Sequence, residues 1–130
     1  MRNWTICVAE AASPASSATR ILVVEDDALV GLSLVGYLEE LGASVTWASK
    51  LEDAINVIDC TNQIDIAIVD LNLNGVMSNP ILDRLLSKRV FTLLCTGYEL
   101  SSIDVRFRGL PRCEKPFTRA GIRMLLNGRL

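Results

Sequence analysis

Four branched apolar residues, Ile21-Leu22-Val23-Val24, run straight into three carboxylates, Glu25-Asp26-Asp27. An unbroken apolar run of this length reads as a strand covered on both faces, the habit of parallel sheets flanked by helices. The three carboxylates cannot belong to such a core, because an isolated buried carboxylate is far too costly to desolvate. They also repel one another unless a cation lies between them. Hard oxygen donors crowded at the carboxyl end of a sheet strand suit Mg²⁺ or a similar ion. This one feature constrains both the fold and the place where its chemistry sits.

The chain has 130 residues, half of them hydrophobic, and a net charge of −2. That predicts one globular domain with a single sizeable core. There is no basic excess to neutralise phosphates, which argues against a nucleic-acid partner. No apolar run approaches the ~20 residues that span a bilayer. The four cysteines (Cys7, Cys60, Cys95 and Cys113) lack metal-site spacing and are read as reduced thiols of a cytoplasmic protein. Histidine is absent, so no histidine base, ligand or phosphocarrier can come from this chain.

Residues 1–19 differ in character from the rest of the chain. Ala9 to Thr19 is rich in Ala and Ser and lacks a sustained period. The opening Met1 to Ala9 resembles a signal peptide only faintly, because Glu10 interrupts a short apolar stretch. A flexible leader is expected here, with Trp4 and Ile6 available to dock on a domain spanning 20–130.

From Arg20 onward, strand-like and helix-like segments alternate. Leu29, Val30, Leu34, Tyr37, Leu38 and Leu41 keep helical spacing, and Gly42 stops that helix. Val45–Ala48 is a short strand. Leu51, Ala54, Ile55 and Ile58 mark a second helix with Ser49 as its expected cap. Ile64–Val69 is a strand ending at Asp70. Ile81, Leu82, Leu85 and Leu86 form a helix that Pro80 can begin. Val90–Cys95 is a strand ending at Thr96-Gly97, and Leu110–Cys113 a brief one ending at Lys115-Pro116. Ile122, Leu125 and Leu126 face inward from a closing helix. The pattern predicts a doubly wound α/β fold: a five-stranded parallel sheet, helices on both faces, right-handed crossovers. Glu99 to Gly109 has little helical periodicity, so the helix expected there is short, irregular or replaced by loop.

Ligands of such sheets bind outside the carboxyl ends of the strands. Those ends carry Glu25-Asp26, Asp70, Thr96 and Lys115, which the topology brings to one rim. Each has an innocent explanation, as a solvated turn, a cap or ordinary loop chemistry. Four such coincidences on four strands call for a shared one.

The motifs Val23-Val24-Glu25-Asp26-Asp27, Ile68-Val69-Asp70-Leu71-Asn72, Cys95-Thr96-Gly97 and Glu114-Lys115-Pro116-Phe117 stand in this order. Over Arg20 to Leu130 the chain resembles the receiver (phosphoacceptor) domain of two-component response regulators, with its flavodoxin-like fold. The resemblance implies that Asp70 is the phosphorylated aspartate. It implies that Glu25, Asp26 and Asp70, with the backbone carbonyl of Asn72, hold Mg²⁺, for which Mn²⁺ or Ca²⁺ can substitute. Thr96 would contact the phosphoryl group and Lys115 would pair with it. The donor would be a histidine kinase or a histidine phosphotransfer protein. The chemistry is consistent: phosphoryl transfer needs a positioned nucleophile and surrounding positive charge, and a carboxylate needs no activating base. Such a domain is a signalling element, not an enzyme, beyond promoting its own phosphorylation and dephosphorylation.

Several positions depart from the family pattern. Arg112 stands where an aromatic switch residue is usual, and is read either as part of a partner-binding face or as a solvated strand end. Thr96-Gly97-Tyr98 resembles an atypical receiver subgroup with a Phe-Ala-Thr-Gly motif, here Leu94-Cys95-Thr96-Gly97. Tyr98 then serves either signalling or packing. Asn74-Gly75 replaces the usual Pro-containing turn, which predicts a more mobile loop. After Phe117 there is chain for one helix only, so a stand-alone regulator is expected. It would signal by binding an unknown protein, or act as a phosphate shuttle or sink, as a monomer or weak dimer. Two competitors remain. One is a receiver-like interaction module working without phosphorylation. The other is an aspartyl-phosphate enzyme of the haloacid dehalogenase type, disfavoured because Asp70-Leu71-Asn72 lacks the second acid. A dinucleotide-binding module fits less well still, since no glycine fingerprint comes after the first strand.

Overall fold

The computed structural model describes residues 18–97 and 99–130. In chain order the elements are β1 (Arg20–Val24), α1 (Ala28–Glu40), β2 (Ser44–Ala48), α2 (Leu51–Cys60), β3 (Ile66–Asp70), β4 (Asn72–Leu73), β5 (Val76–Met77), α3 (Asn79–Ser87), β6 (Phe91–Thr96), β7 (Arg112–Glu114) and α4 (Arg119–Leu125). Two 3₁₀ turns, Leu100–Ser102 and Val105–Phe107, lie between β6 and β7. The main sheet has the order β2-β1-β3-β6-β7 and every pairing in it is parallel.

The apolar runs become central strands because both of their faces are covered. Along β1, Leu22 and Val24 join one core with Ala54, Ile58, Leu82 and Leu85, from α2 and α3. Ile21 and Val23 point the other way and join Leu34, Leu38, Ile122 and Leu126, from α1 and the end of α4. β3 divides in the same way, with Ala67 and Val69 in the first core and Ile66 and Ile68 in the second. The two strands that carry the acidic residues are therefore central ones, paired on both sides and buried on both faces. The doubly wound α/β sheet expected from sequence is what the chain forms.

Local differences have local causes. Asp27 caps α1, accepting hydrogen bonds from the Leu29 and Val30 amides. Leu29 itself is 81% exposed, although its spacing suggests an inward position. The buried face of α1 runs through Gly31, Leu34, Tyr37 and Leu38, and Leu29 lies well round the helix from it. α2 is capped by Lys50 rather than Ser49, with no side-chain cap bond. Glu52 and Asp53 in its first turn suit the positive end of the helix dipole instead. The weak periodicity of 99–109 is explained by the two 3₁₀ turns, which still bury Ile103 and Phe107.

Where a mobile loop is expected after Asp70, the chain makes a hairpin of β4 and β5. Asn74 (φ 53°) and Gly75 (φ 87°) both take positive φ, as a two-residue type I′ turn requires. The expectation of reduced cysteines also needs correction. Cys95 and Cys113 are free and buried, but Cys60 is disulfide-bonded. Cys7 and the leader residues 1–17 lie outside the described residues. Thr19, counted with the leader, is tied to the domain: its carbonyl accepts the Ser44 amide at 2.8 Å. Among the described residues no helix is long and apolar enough to cross a membrane.

Candidate functional site

β1, β3, β6 and β7 deliver Glu25, Asp26, Asp70, Thr96 and Lys115 to one end of the sheet. Ligand oxygens of Glu25, Asp26 and Asp70 all lie within 4.8 Å of one another. Lys115 comes just after β7, its amide donating to the Thr96 carbonyl at 3.1 Å. From there its Nζ donates to Glu25 Oε1 and Asp70 Oδ2, each at 2.8 Å. Thr96 is 1% exposed at the end of β6. Arg112 lies half-buried on the edge strand β7, opposite Leu94. Tyr98 is outside the described residues.

Each carboxylate has one oxygen held by a backbone amide. Asp27 N–H donates to Glu25 Oε2 (3.1 Å), Asn74 N–H to Asp26 Oδ2 (2.9 Å) and Asn72 N–H to Asp70 Oδ1 (3.2 Å). Asn72 therefore orients the nucleophile candidate through its own amide, and its Oδ1 accepts the Gly75 amide at 2.7 Å. The Asn-Gly turn thus locks the hairpin onto the cluster, a role its dipeptide signal can hint at but not locate.

The electrostatics are those of an incomplete charge set. Three carboxylates against one ammonium leave two negative charges when all are ionised, the charge that one divalent ion carries. Two carboxylate charges at the outer limit of that spacing, 4.8 Å, repel by about 3.5 kcal/mol at the effective dielectric near a protein surface, and closer ones by more. Glu25, 2% exposed, takes the strain. Burial pushes its carboxyl up to about 7, against the hydrogen bonds from Lys115 and the Asp27 amide. Burial pulls the Lys115 ammonium down, but its hydrogen bonds to Asp70 and Glu25 outweigh that and raise it. The donor set fits a hard divalent cation: all oxygen, clustered, oriented by amides, and short of positive charge.

No family model matches the sequence, and neither does any curated protein. Solved structures do. SdrG from Sphingomonas melonis Fr1 is 34% identical and superposes with a TM-score of 0.74, over 85% of this chain and 95% of that one. The BeF3-activated conformation of SdrG, from Pseudomonas melonis Fr1, is 33% identical with a TM-score of 0.71, over 85% and 96%. The receiver domain of sensor histidine kinase PA1611 from Pseudomonas aeruginosa PAO1 shares the fold at 21% identity, with a TM-score of 0.74 over 85% and 95%. This chain belongs to the response regulator receiver family.

Receiver domains are signalling modules rather than classical enzymes, and they take phosphoryl groups from histidine kinases or phosphotransfer proteins. The PA1611 receiver domain has a magnesium ion coordinated in its active site cleft. In the present receiver domain two contributors to the site leave no mark in the sequence. Ser78, fully buried, brings its hydroxyl to 2.5 Å from the Asp70 carbonyl and 2.7 Å from that of Leu71. Trp47 donates its indole N–H to the Glu25 carbonyl at 2.9 Å. Both act on backbone from a distant segment, which no local pattern announces.

Proposed function

We propose that this receiver domain accepts a phosphoryl group on Asp70 in a Mg²⁺-dependent reaction and signals through protein–protein contact or serves as a phosphate shuttle or sink. The observation that carries the reading is Lys115 Nζ, 2.8 Å from both Glu25 and Asp70, at the edge of the carboxylate cluster. Glu25, Asp26, Asp70 and the Asn72 carbonyl would hold the ion. When bound, Mg²⁺ supplies positive charge that offsets the repulsion between Asp70 and an incoming phosphoryl group. A carboxylate oxygen of Asp70 attacks phosphorus while Oδ1 is held by the Asn72 amide, and as that O–P bond forms the bond from phosphorus to the donor's histidine nitrogen breaks, leaving the imidazole with the donor. Lys115 exchanges its bond to Asp70 for the phosphoryl oxygens, and Thr96 offers them a neutral hydrogen bond. Residues 20–130 make up the domain that does this.

The donor is external, because the chain has no histidine. A groove of about 530 Å³ lined by Leu29, Val30, Ser33, Lys115, Pro116 and Phe117 opens beside the lysine. With Leu29 81% and Leu32 60% exposed, this is where an amphipathic surface of a histidine kinase or phosphotransfer protein would seat. SdrG, the relative at 33–34% identity, has a BeF3-activated conformation, which supports an activatable site here.

The test is direct. With Mg²⁺ and a small acyl-phosphate donor, intact mass should show one acid-stable, base-labile phosphoryl adduct, absent in Asp70→Ala and absent when a chelator removes the metal. No adduct on the unmodified chain, or an equal yield in Asp70→Ala, sinks the proposal.

A further inference from the structure

The carboxyl end of β1 poses a backbone problem. Glu25 N–H extends the ladder by donating to the Ala48 carbonyl at 3.1 Å, but β2 ends at Ala48. The Glu25 carbonyl is taken instead by the Trp47 indole N–H at 2.9 Å. The ring lies half-buried where α1 crosses β2, and α1 has Gly31 at that crossing. A Cβ on Gly31 would stand 2.2 Å from Cζ2 and 2.4 Å from Cε2 of the indole, far inside contact distance. Glycine is a poor helix former, so a buried one in mid-helix calls for a packing reason. The indole is that reason.

We propose that Trp47 is a positioning residue for the acidic cluster, its N–H fixing the Glu25–Asp26 peptide and so aiming both carboxylates at the space they share with Asp70. The carbonyl of Glu25 and the nitrogen of Asp26 belong to one rigid plane. Holding that oxygen therefore sets the direction in which the Asp26 side chain leaves the backbone. Asp26 is then secured at both ends, by the indole through its peptide and by the Asn74 amide at Oδ2. Trp47 itself touches no ligand. The ion it serves is the one in the phosphoacceptor reading, on which this inference rests.

The experiment is a Mg²⁺ titration of the full chain with no phosphoryl donor, monitored by backbone amide shifts, beside thermal melting of the metal-free protein. Trp47→Phe keeps an aromatic ring and loses the donor. It is expected to bind Mg²⁺ about tenfold more weakly, the usual scale for losing a partner behind a metal ligand. Gly31→Ala displaces the indole and is expected to lower both the melting temperature and Mg²⁺ affinity. The double variant removes the indole atoms that clash. It should regain the melting temperature lost in Gly31→Ala while its Mg²⁺ affinity stays at the Trp47→Phe level. A core-packing role alone would move melting and leave Mg²⁺ affinity unchanged. Wild-type affinity in Trp47→Phe, or in the double variant, overturns the inference and leaves the phosphoacceptor reading standing. If the unaltered chain neither binds Mg²⁺ nor forms an adduct, both fall.

Discussion

Burial pushes the Glu25 carboxyl up from its ordinary 4.5 to about 7, so in that interval the folded, metal-free chain holds a proton that the unfolded chain has released. Where the native state binds more protons, stability falls as pH rises. The contribution is full below 4.5 and is lost as pH climbs through about 7. The melting temperature of the metal-free protein should therefore decline between pH 5 and pH 8, and saturating Mg²⁺ should flatten the decline. Mg²⁺ affinity should move oppositely, weaker by about tenfold at pH 6 than at pH 8, because the ion must displace that proton. Calorimetry in two buffers of different ionisation enthalpy checks this; a pH-independent affinity would mean Glu25 is no ligand. At this scale the sequence is only partly legible. Glu25 and Asp26 stand out because they adjoin a third carboxylate at the end of an apolar run and coincide with Asp70, Thr96 and Lys115 at three other strand ends. Trp47 looks like any strand aromatic, since its target carbonyl is 22 residues away.

The elements repeat that contrast. β1 and β3 are readable because burial on both faces leaves an unbroken apolar run. α1 is readable only in part: Leu29 and Leu32 give it apolar residues on its outer face too, so spacing alone misassigns Leu29. The β4–β5 hairpin is invisible to periodicity because its strands are two residues each. It is nevertheless well fastened. Ser78 closes it at the base, where its amide and hydroxyl engage the Leu71 carbonyl and its own carbonyl accepts the Ile81 and Leu82 amides that begin α3. Ser78→Ala leaves buried carbonyls short of a donor and is expected to cost about 1–3 kcal/mol, read as a lower urea midpoint with unchanged slope. Gly75→Ala forces a side chain into positive φ and is expected to cost about 1 kcal/mol or more by the same measurement. A neutral Gly75→Ala would mean the turn is not held in this conformation.

At the scale of the whole molecule, the sheet order puts the reactive rim beside the exposed part of α1. Leu29, Val30 and Phe117 line a groove that shares Lys115 with the site, which is the groove proposed above for the donor protein. Leu29→Glu should lower the rate of transfer from a protein donor by about tenfold relative to the rate from a small acyl phosphate, as expected for an interface anchor. Equal slowing by both donors would place Leu29 outside the docking surface. The topology itself is legible because alternation of apolar runs and helical stripes admits few arrangements. The irregular crossover after β6 is not, because two 3₁₀ turns anchored by Ile103 and Phe107 carry no period at all.

The bond between Asp26 Oδ2 and the Asn74 amide has a consequence at the surface. Asn74 is the tip of a short ribbon that also carries Val76 and Met77, 48% and 38% exposed. Asp26 and the tip of the ribbon are thus joined by one hydrogen bond, and Ser78 fastens the base of the same ribbon. A change at Asp26 therefore has a direct bonded neighbour on the ribbon that carries these exposed apolar side chains. The Asn74 amide proton is the place to read it, and its resonance should shift when Mg²⁺ enters.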